Sequence, residues 1–290
     1  MRSSATSERL QAYALVAPAM LTLAAVAAYP LLDAGWLSLH RLILVFHDRR
    51  FIGLENYVFL FTDRRFWTAL ANTAYFTFAA VTLELLLGLA FALLLNATFP
   101  GRGAVRAAVL IPWAIPTVIS AKLWAWFFDP NGPGSRILST PDVSWLGTPG
   151  YAMHAAILVD VWKTTPFVAL LLLAGLQAIP RDVYEAANVD GASRSRIFGS
   201  ITLPLLGPMI GIALLFRTLD AFRVFDAIYV LTEGGPANTT ETLSIYAYKT
   251  LMRSGDFGYG STLSVAIFIC VLLISLAYLK IFRRPLGAAN

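Results

Sequence analysis

Residues 66–96 read FWTALANTAYFTFAAVTLELLLGLAFALLLN, a run broken by a single charge, Glu84. About 20 apolar residues cross a bilayer core as a helix, because every backbone N–H and C=O must find its partner inside the segment there. This run is long enough, and it is not alone. Similar runs cover roughly 11–32, 105–128, 152–178, 203–231 and 261–282. Six spans are expected, and the fold class is an all-α polytopic membrane protein with six transmembrane helices.

Composition agrees. The 290 residues are 58% hydrophobic and 13% charged, with a mean hydropathy of +0.67, whereas soluble domains carry about 25% charged residues. A secreted enzyme, a disordered chain and a peripheral amphipathic binder are excluded. Ala25-Val26-Ala27 resembles a small-residue cleavage site. The first run is longer than a signal-peptide core and more spans follow, so it is read as a retained helix. The lone Cys270 excludes an internal disulfide and a cysteine metal cluster. His40, His47 and His154 show no ligand spacing, and no GxxxxGK[ST] loop is present to cradle a nucleotide phosphate. Nothing in the chain reads as an active site, so it is not expected to be an enzyme or to hold a cofactor or metal.

The net charge of +5 is read as the cytoplasmic excess of a membrane protein and not as a nucleic-acid footprint. Arg2, Arg9, Arg102, Arg106, Arg181, Arg194, Arg196, Lys280, Arg283 and Arg284 fall on one side of the six spans. Glu8, Asp182, Glu185 and Asp190 are the acids there. Both termini are therefore expected inside. The two longest outer loops, about 40–65 and 232–260, have room for short amphipathic helices.

The loop at 179–204 is built as an elbow. Pro180 suits the first turn of a helix, having a fixed φ and no N–H to leave unpaired. Asp182 and Glu185 sit near that helix's positive end. Gly191 can take the left-handed conformation that ends it. Ser193 is an N-cap candidate for a second short helix reaching about Ser200. Ala186 and Ala187 keep one side low, which favours close approach by another protein.

Glu-Ala-Ala, three residues, Gly, nine residues, Ile-x-Leu-Pro is filled here by Glu185, Ala186, Ala187, Gly191, Ile201, Leu203 and Pro204. This pattern resembles the EAA loop of permease subunits of binding-protein-dependent ABC importers, whose bundle is the type I (MetI-like) fold. Phe51–Tyr57 with Phe66–Thr73, and Phe225–Thr232 with Gly234-Gly235-Pro236, look like sugar-type permeases. Residues 161–167 and 214–223 are most similar to the trehalose/maltose subgroup. The resemblance implies a bacterial cytoplasmic (inner) membrane location and a core permease domain at 66–290 that follows an N-terminal part at 1–65. Glu185, Ala186, Ala187, Asp190, Gly191, Ile201, Leu203 and Pro204 would couple to an ATP-binding cassette ATPase dimer, which would bind ATP and Mg. A second homologous permease, an extracytoplasmic solute-binding protein and a sugar would complete the system. An importer of the same build for another polar solute, an ion-coupled secondary transporter using Glu84, Asp160 or Asp220, and a non-transporting scaffold are the competing readings.

Charges at membrane depth cost about 2.5–3.5 kcal/mol each on insertion scales and call for partners. Arg217, Asp220, Arg223 and Asp226 stand three apart with alternating sign in the fifth run, so neighbours share a helix side. They make either a polar stripe on the path or a ladder that fixes packing. Asp160 and Lys163 repeat the spacing, and Pro166 is expected to weaken the hydrogen-bond ladder there. Glu84 and Lys122 are lone charges, and a cross-helix pair between them is one reading. Pro112 and Pro116 bracket Trp113, where a kink would free carbonyls toward a polar cavity. Sugars present apolar C–H faces as well as hydroxyls, so Trp113, Trp162, Phe167 and Phe222 join Arg217 and Asp220 as path candidates. Trp124 and Trp126 suit the interfacial belt. Gly207 and Gly211 form a GxxxG that would allow close contact with the second permease.

Overall fold

The computed structural model describes residues 2–46, 48–137 and 143–286, and side chains from 11 to 282 within them except at 45. His47 and the side chains of Arg2, Glu8, Arg9, Arg283 and Arg284 lie outside the described residues. Helix α1 (Arg2–Leu23) widens into a π turn (Ala24–Ala28) and continues as α2 (Tyr29–Leu37). Pro30 explains the widening, since it has no N–H for the carbonyl four residues back. A hairpin of β1 (His40–Ile43) and β2 (Asp48–Phe51) follows, with His40 opposite Phe51. Then come α3 (Glu55–Thr62), α4 (Arg64–Asn96), α5 (Arg102–Ala114), α6 (Thr117–Phe127), α7 (Pro133–Ile137) and α8 (Tyr151–Ala178). The remainder is α9 (Arg181–Val189), α10 (Arg194–Ile197), a π turn (Phe198–Thr202), α11 (Leu203–Phe222), α12 (Asp226–Thr232), α13 (Leu243–Tyr248), a π turn (Lys249–Arg253) and α14 (Phe257–Leu286).

Among the described residues, five continuous helices are long and apolar enough to span: Gln11–Leu37, Arg64–Asn96, Tyr151–Ala178, Arg194–Phe222 and Phe257–Phe282. The third expected span is not straight. It is α5 and α6, bent by 93° between Ala114 and Thr117, and it makes a sixth span when the pair is counted as one. Pro116 supplies the break, with Ile115 extended at ψ 133° before it, as the residue preceding a proline prefers. The fifth span also departs from expectation. It starts nine residues earlier, at Arg194, and ends at Phe222 instead of 231. Pro166, by contrast, does not interrupt α8. The Thr165 hydroxyl bonds back to the Val161 carbonyl at 2.6 Å, next to the Trp162 carbonyl to which Pro166 has no N–H to offer.

The chain divides into two compact units. In the first (Met1–Asp63 and Ala247–Phe268), Asn56 donates to the carbonyls of Ser38 and His40 at 2.8 and 3.0 Å, and the Tyr259 hydroxyl donates to Asp63 at 2.6 Å. Its hairpin was not anticipated. In the second (Arg64–Tyr246 and Ile269–Asn290), α4, α8 and α11 pack side by side around two apolar clusters. One gathers Phe76, Ala80, Met153, Ile157 and Ala221. The other gathers Ala92, Leu95, Val168, Leu172, Leu206 and Ala213. On each helix the sequence runs from one cluster to the other, and the charged residues fall between. Outward side chains such as Leu86, Leu94 and Phe216 are apolar and exposed, as a lipid-facing surface requires.

Candidate functional site

A single guanidinium organises the charged layer between those clusters. Arg217 on α11 donates from Nε and Nη2 to the two oxygens of Glu84 on α4, at 2.6 and 2.9 Å. Its Nη2 also donates to Asp160 Oδ2 on α8 at 3.0 Å, and its Nη1 to Asp220 Oδ2. The Thr164 hydroxyl lies 2.6 Å from Glu84 Oε1. Side-chain exposure rises from 0% at Glu84 through 3% at Arg217 and 13% at Asp160 to 66% at Asp220. The cluster therefore runs from the packed interior out to an opening. Buried charge is tolerated here because each group has opposite charge and hydrogen bonds around it.

The opening is a cavity of about 340 Å³. Its walls include Trp113, Thr117, Asp160, Lys163, Asp220, Arg223 and Asp226. The bend between α5 and α6 borders it. Lys163 Nζ donates to the freed carbonyl of Ile115 at 2.6 Å, so an irregular backbone at membrane depth is satisfied by a charge on the neighbouring helix. Trp113 stacks on Phe167, with ring centroids 6.0 Å apart and planes at 25°.

The structure divides the six path candidates. Trp113 and Asp220 line the cavity. Arg217 stands behind it, and Phe222 is buried. Phe167 backs Trp113, while Trp162 packs edge-on to Trp124. The cross-helix pair between Glu84 and Lys122 does not form: Glu84 pairs with Arg217, and Lys122 is exposed. Nor does the four-residue ladder run unbroken. The helix ends at Phe222, Arg223 caps it, and Asp226 opens α12, so only Arg217 and Asp220 share a helix. Of the other wall residues, Arg223 and Asp226 belong to the charged series read as either a polar stripe or a ladder, whereas Lys163 and Thr117 were not proposed. Pro116, which frees a carbonyl facing a lysine, was their best signal.

The elbow folds from local rules. Pro180 precedes α9, and Asp182 lies in its first turn. At its far end the Ala192 N–H bonds Ala187 O at 3.0 Å and the Gly191 N–H bonds Asn188 O at 3.1 Å. This is a Schellman pair around Gly191, whose φ is +72°. Ser193 Oγ accepts from the Arg196 N–H at 3.4 Å. The second arm is not a separate helix, because α10 passes through the π turn into α11. Pro204 sits in the first turn of α11, after a widened turn as at Pro30. Glu185, Ala186, Asp190 and Pro204 are exposed, Ile201 is half-buried, and Leu203 is 39% exposed. The two alanines divide: Ala186 faces out and Ala187 is buried. Val189, exposed at 88%, adds an apolar knob beside them. The GxxxG notch is partly filled from within the chain, since a Cβ on Gly211 would stand 2.5 Å from the Phe282 ring.

Residues 84–284 match the family described as "Binding-protein-dependent transport system inner membrane component". The trehalose/maltose transport system permease protein MalF of Thermococcus litoralis is 48% identical over 278 residues, covering 94% of each chain. The trehalose transport system permease protein SugA of Mycobacterium tuberculosis is 46% identical over 280 residues, covering 96% of this chain and 91% of that one. A chain from the crystal structure of a bacterial ABC transporter involved in the import of the acidic polysaccharide alginate superposes with a TM-score of 0.82. It is 25% identical, and the match covers 98% of this chain and 99% of that one.

Proposed function

This chain belongs to the family of inner membrane components of binding-protein-dependent transport systems, and from that premise we propose that it carries a disaccharide of the trehalose or maltose kind as one of two permease subunits of an ATP-driven importer. It is a multi-pass membrane protein and a transport component, not an enzyme. One observation supports the cargo reading above the others: a cavity beside the α5–α6 bend, lined by an indole and by both signs of charge. About 340 Å³ lies at the small end of ligand sites. Trp113 offers a face to the C–H side of a pyranose, Asp160, Asp220 and Asp226 accept from hydroxyls, and Lys163, Thr117 and Arg223 donate to them. The relatives named for trehalose and maltose point to the same class.

The elbow is the contact for an ATPase dimer that binds ATP and Mg, with both termini on its side of the bilayer. A binding protein delivers sugar from the other side, and a second permease supplies the rest of the path. Elbow and cavity are joined covalently. Helix α8 enters the elbow carrying Asp160 and Lys163, and α11 leaves it carrying Asp220. Displacing the elbow therefore moves two cavity walls, which is what switching between two states of access needs.

The test is reconstitution of this chain with its second permease, ATPase and binding protein in proteoliposomes. ATP-dependent uptake of labelled trehalose or maltose is expected. Glu185→Lys, on the exposed elbow, should abolish uptake and ATPase co-purification while the spans stay inserted. Uptake by vesicles lacking the ATPase would replace this reading with an ion-coupled transporter, and uptake of another polar solute alone would move the cargo class.

A further inference from the structure

We infer that Arg217 is a positioning residue for cargo, holding the carboxylates of Asp160 and Asp220 in the cavity wall without reaching the cavity itself. The inference rests on the cavity being the cargo site. Arg217 is 3% exposed and is not part of the wall, whereas two of its three acidic partners are. Its orientation is set from behind. Glu84, fully buried, takes Nε and one Nη2 hydrogen, and Glu84 is itself held by Thr164.

A guanidinium carries its N–H groups in one rigid plane. With one edge clamped by Glu84, its other donors can point only where they do, one at Asp160 and one at Asp220. These two aspartates come from different helices, α8 and α11, and are brought to one wall by this side chain. A carboxylate has about four acceptor sites, so one arginine N–H leaves capacity for a cargo hydroxyl. The third charged neighbour, Lys163, is turned to Ile115 O and gives Asp160 no fixed geometry of its own. Recognition groups held by a buried second layer keep the narrow tolerances that binding needs.

Charge and orientation separate experimentally, because lysine keeps the charge and loses the fork. In the intact transporter, with a hydrolysis-deficient ATPase, ATP and loaded binding protein, the quantity to measure is labelled trehalose or maltose retained per folded complex. Arg217→Lys should retain at least about tenfold less than wild type. The isosteric Glu84→Gln should also retain less, by a smaller factor. In the hydrolysis-competent complex, the stimulation of ATP hydrolysis by loaded binding protein should fall by a smaller factor than retention does, whereas a general folding defect would lower the two in parallel. Unchanged retention in both variants, or retention and stimulation falling together, overturns the inference. If Arg217→Lys does not assemble, Glu84→Gln decides alone on the same two outcomes. A wild-type complex that traps no sugar overturns the cargo reading, and this inference with it.

Discussion

The elbow and the charged layer both concentrate polar residues, yet they treat them in opposite ways. In the elbow the backbone closes its own bonds, through the Schellman pair at Gly191 and the cap at Ser193, and the side chains of Glu185, Ala186, Val189 and Asp190 are left outside. In the layer the side chains are spent on one another, and Arg217 alone holds three carboxylates. The first region leaves its side chains exposed. The second is shaped to hold three helices in fixed relation. The proposed transport cycle would use both: a handle for a partner, and a scaffold that keeps the wall groups in place.

The sharpest way to break this contrast is Arg217→Met, which leaves Glu84 and Asp160 buried without their cation. Removing one member of a buried ionic group costs about 3–5 kcal/mol, so folded yield in detergent should fall steeply. Neutralising Glu84 and Asp160 together with Arg217 should recover much of that yield, and no recovery would mean that the layer does more for the fold than balance charge. Next in size is Gly191→Val. A β-branched residue at φ +72° costs roughly 1–2 kcal/mol, but the strain is confined to the elbow. Spans should stay folded in a thermal melt while ATPase co-purification drops, whereas a global loss of stability would erase the distinction between the two regions. Smallest is Ser193→Ala. Losing an exposed cap is worth about 0.5–1 kcal/mol at most, so hydrogen exchange should quicken over 194–197 with uptake nearly unchanged.

What could be read in advance follows the same division. All six spans announced themselves as apolar runs, because twenty apolar residues have few other fates. The elbow was legible because its determinants lie between Pro180 and Ser193: a proline to start, a glycine to stop, a serine to restart. Glu84 was harder. Its partner is 133 positions away, and Lys122 was as plausible a mate on charge alone. The end of α11 at Phe222 carried no proline or glycine, so the apolar run seemed to continue through it. The hairpin at 40–51 escaped because four-residue strands are too short to show alternation. The 93° bend was half legible, since Pro112 and Pro116 marked a kink but not its size.

The π turn at 198–202 sets the clocking of the whole fifth span. Such a turn holds one residue more than an α turn, so every side chain beyond Thr202 is swung by about 100° from where an uninterrupted α-helix would aim it. Arg217 looks toward Glu84 because of that offset. Were the extra residue to migrate or be absorbed, the same sequence would turn its guanidinium to a different compass bearing, and the lock between three helices would open while the bonds around Gly191 and Ser193 stayed closed.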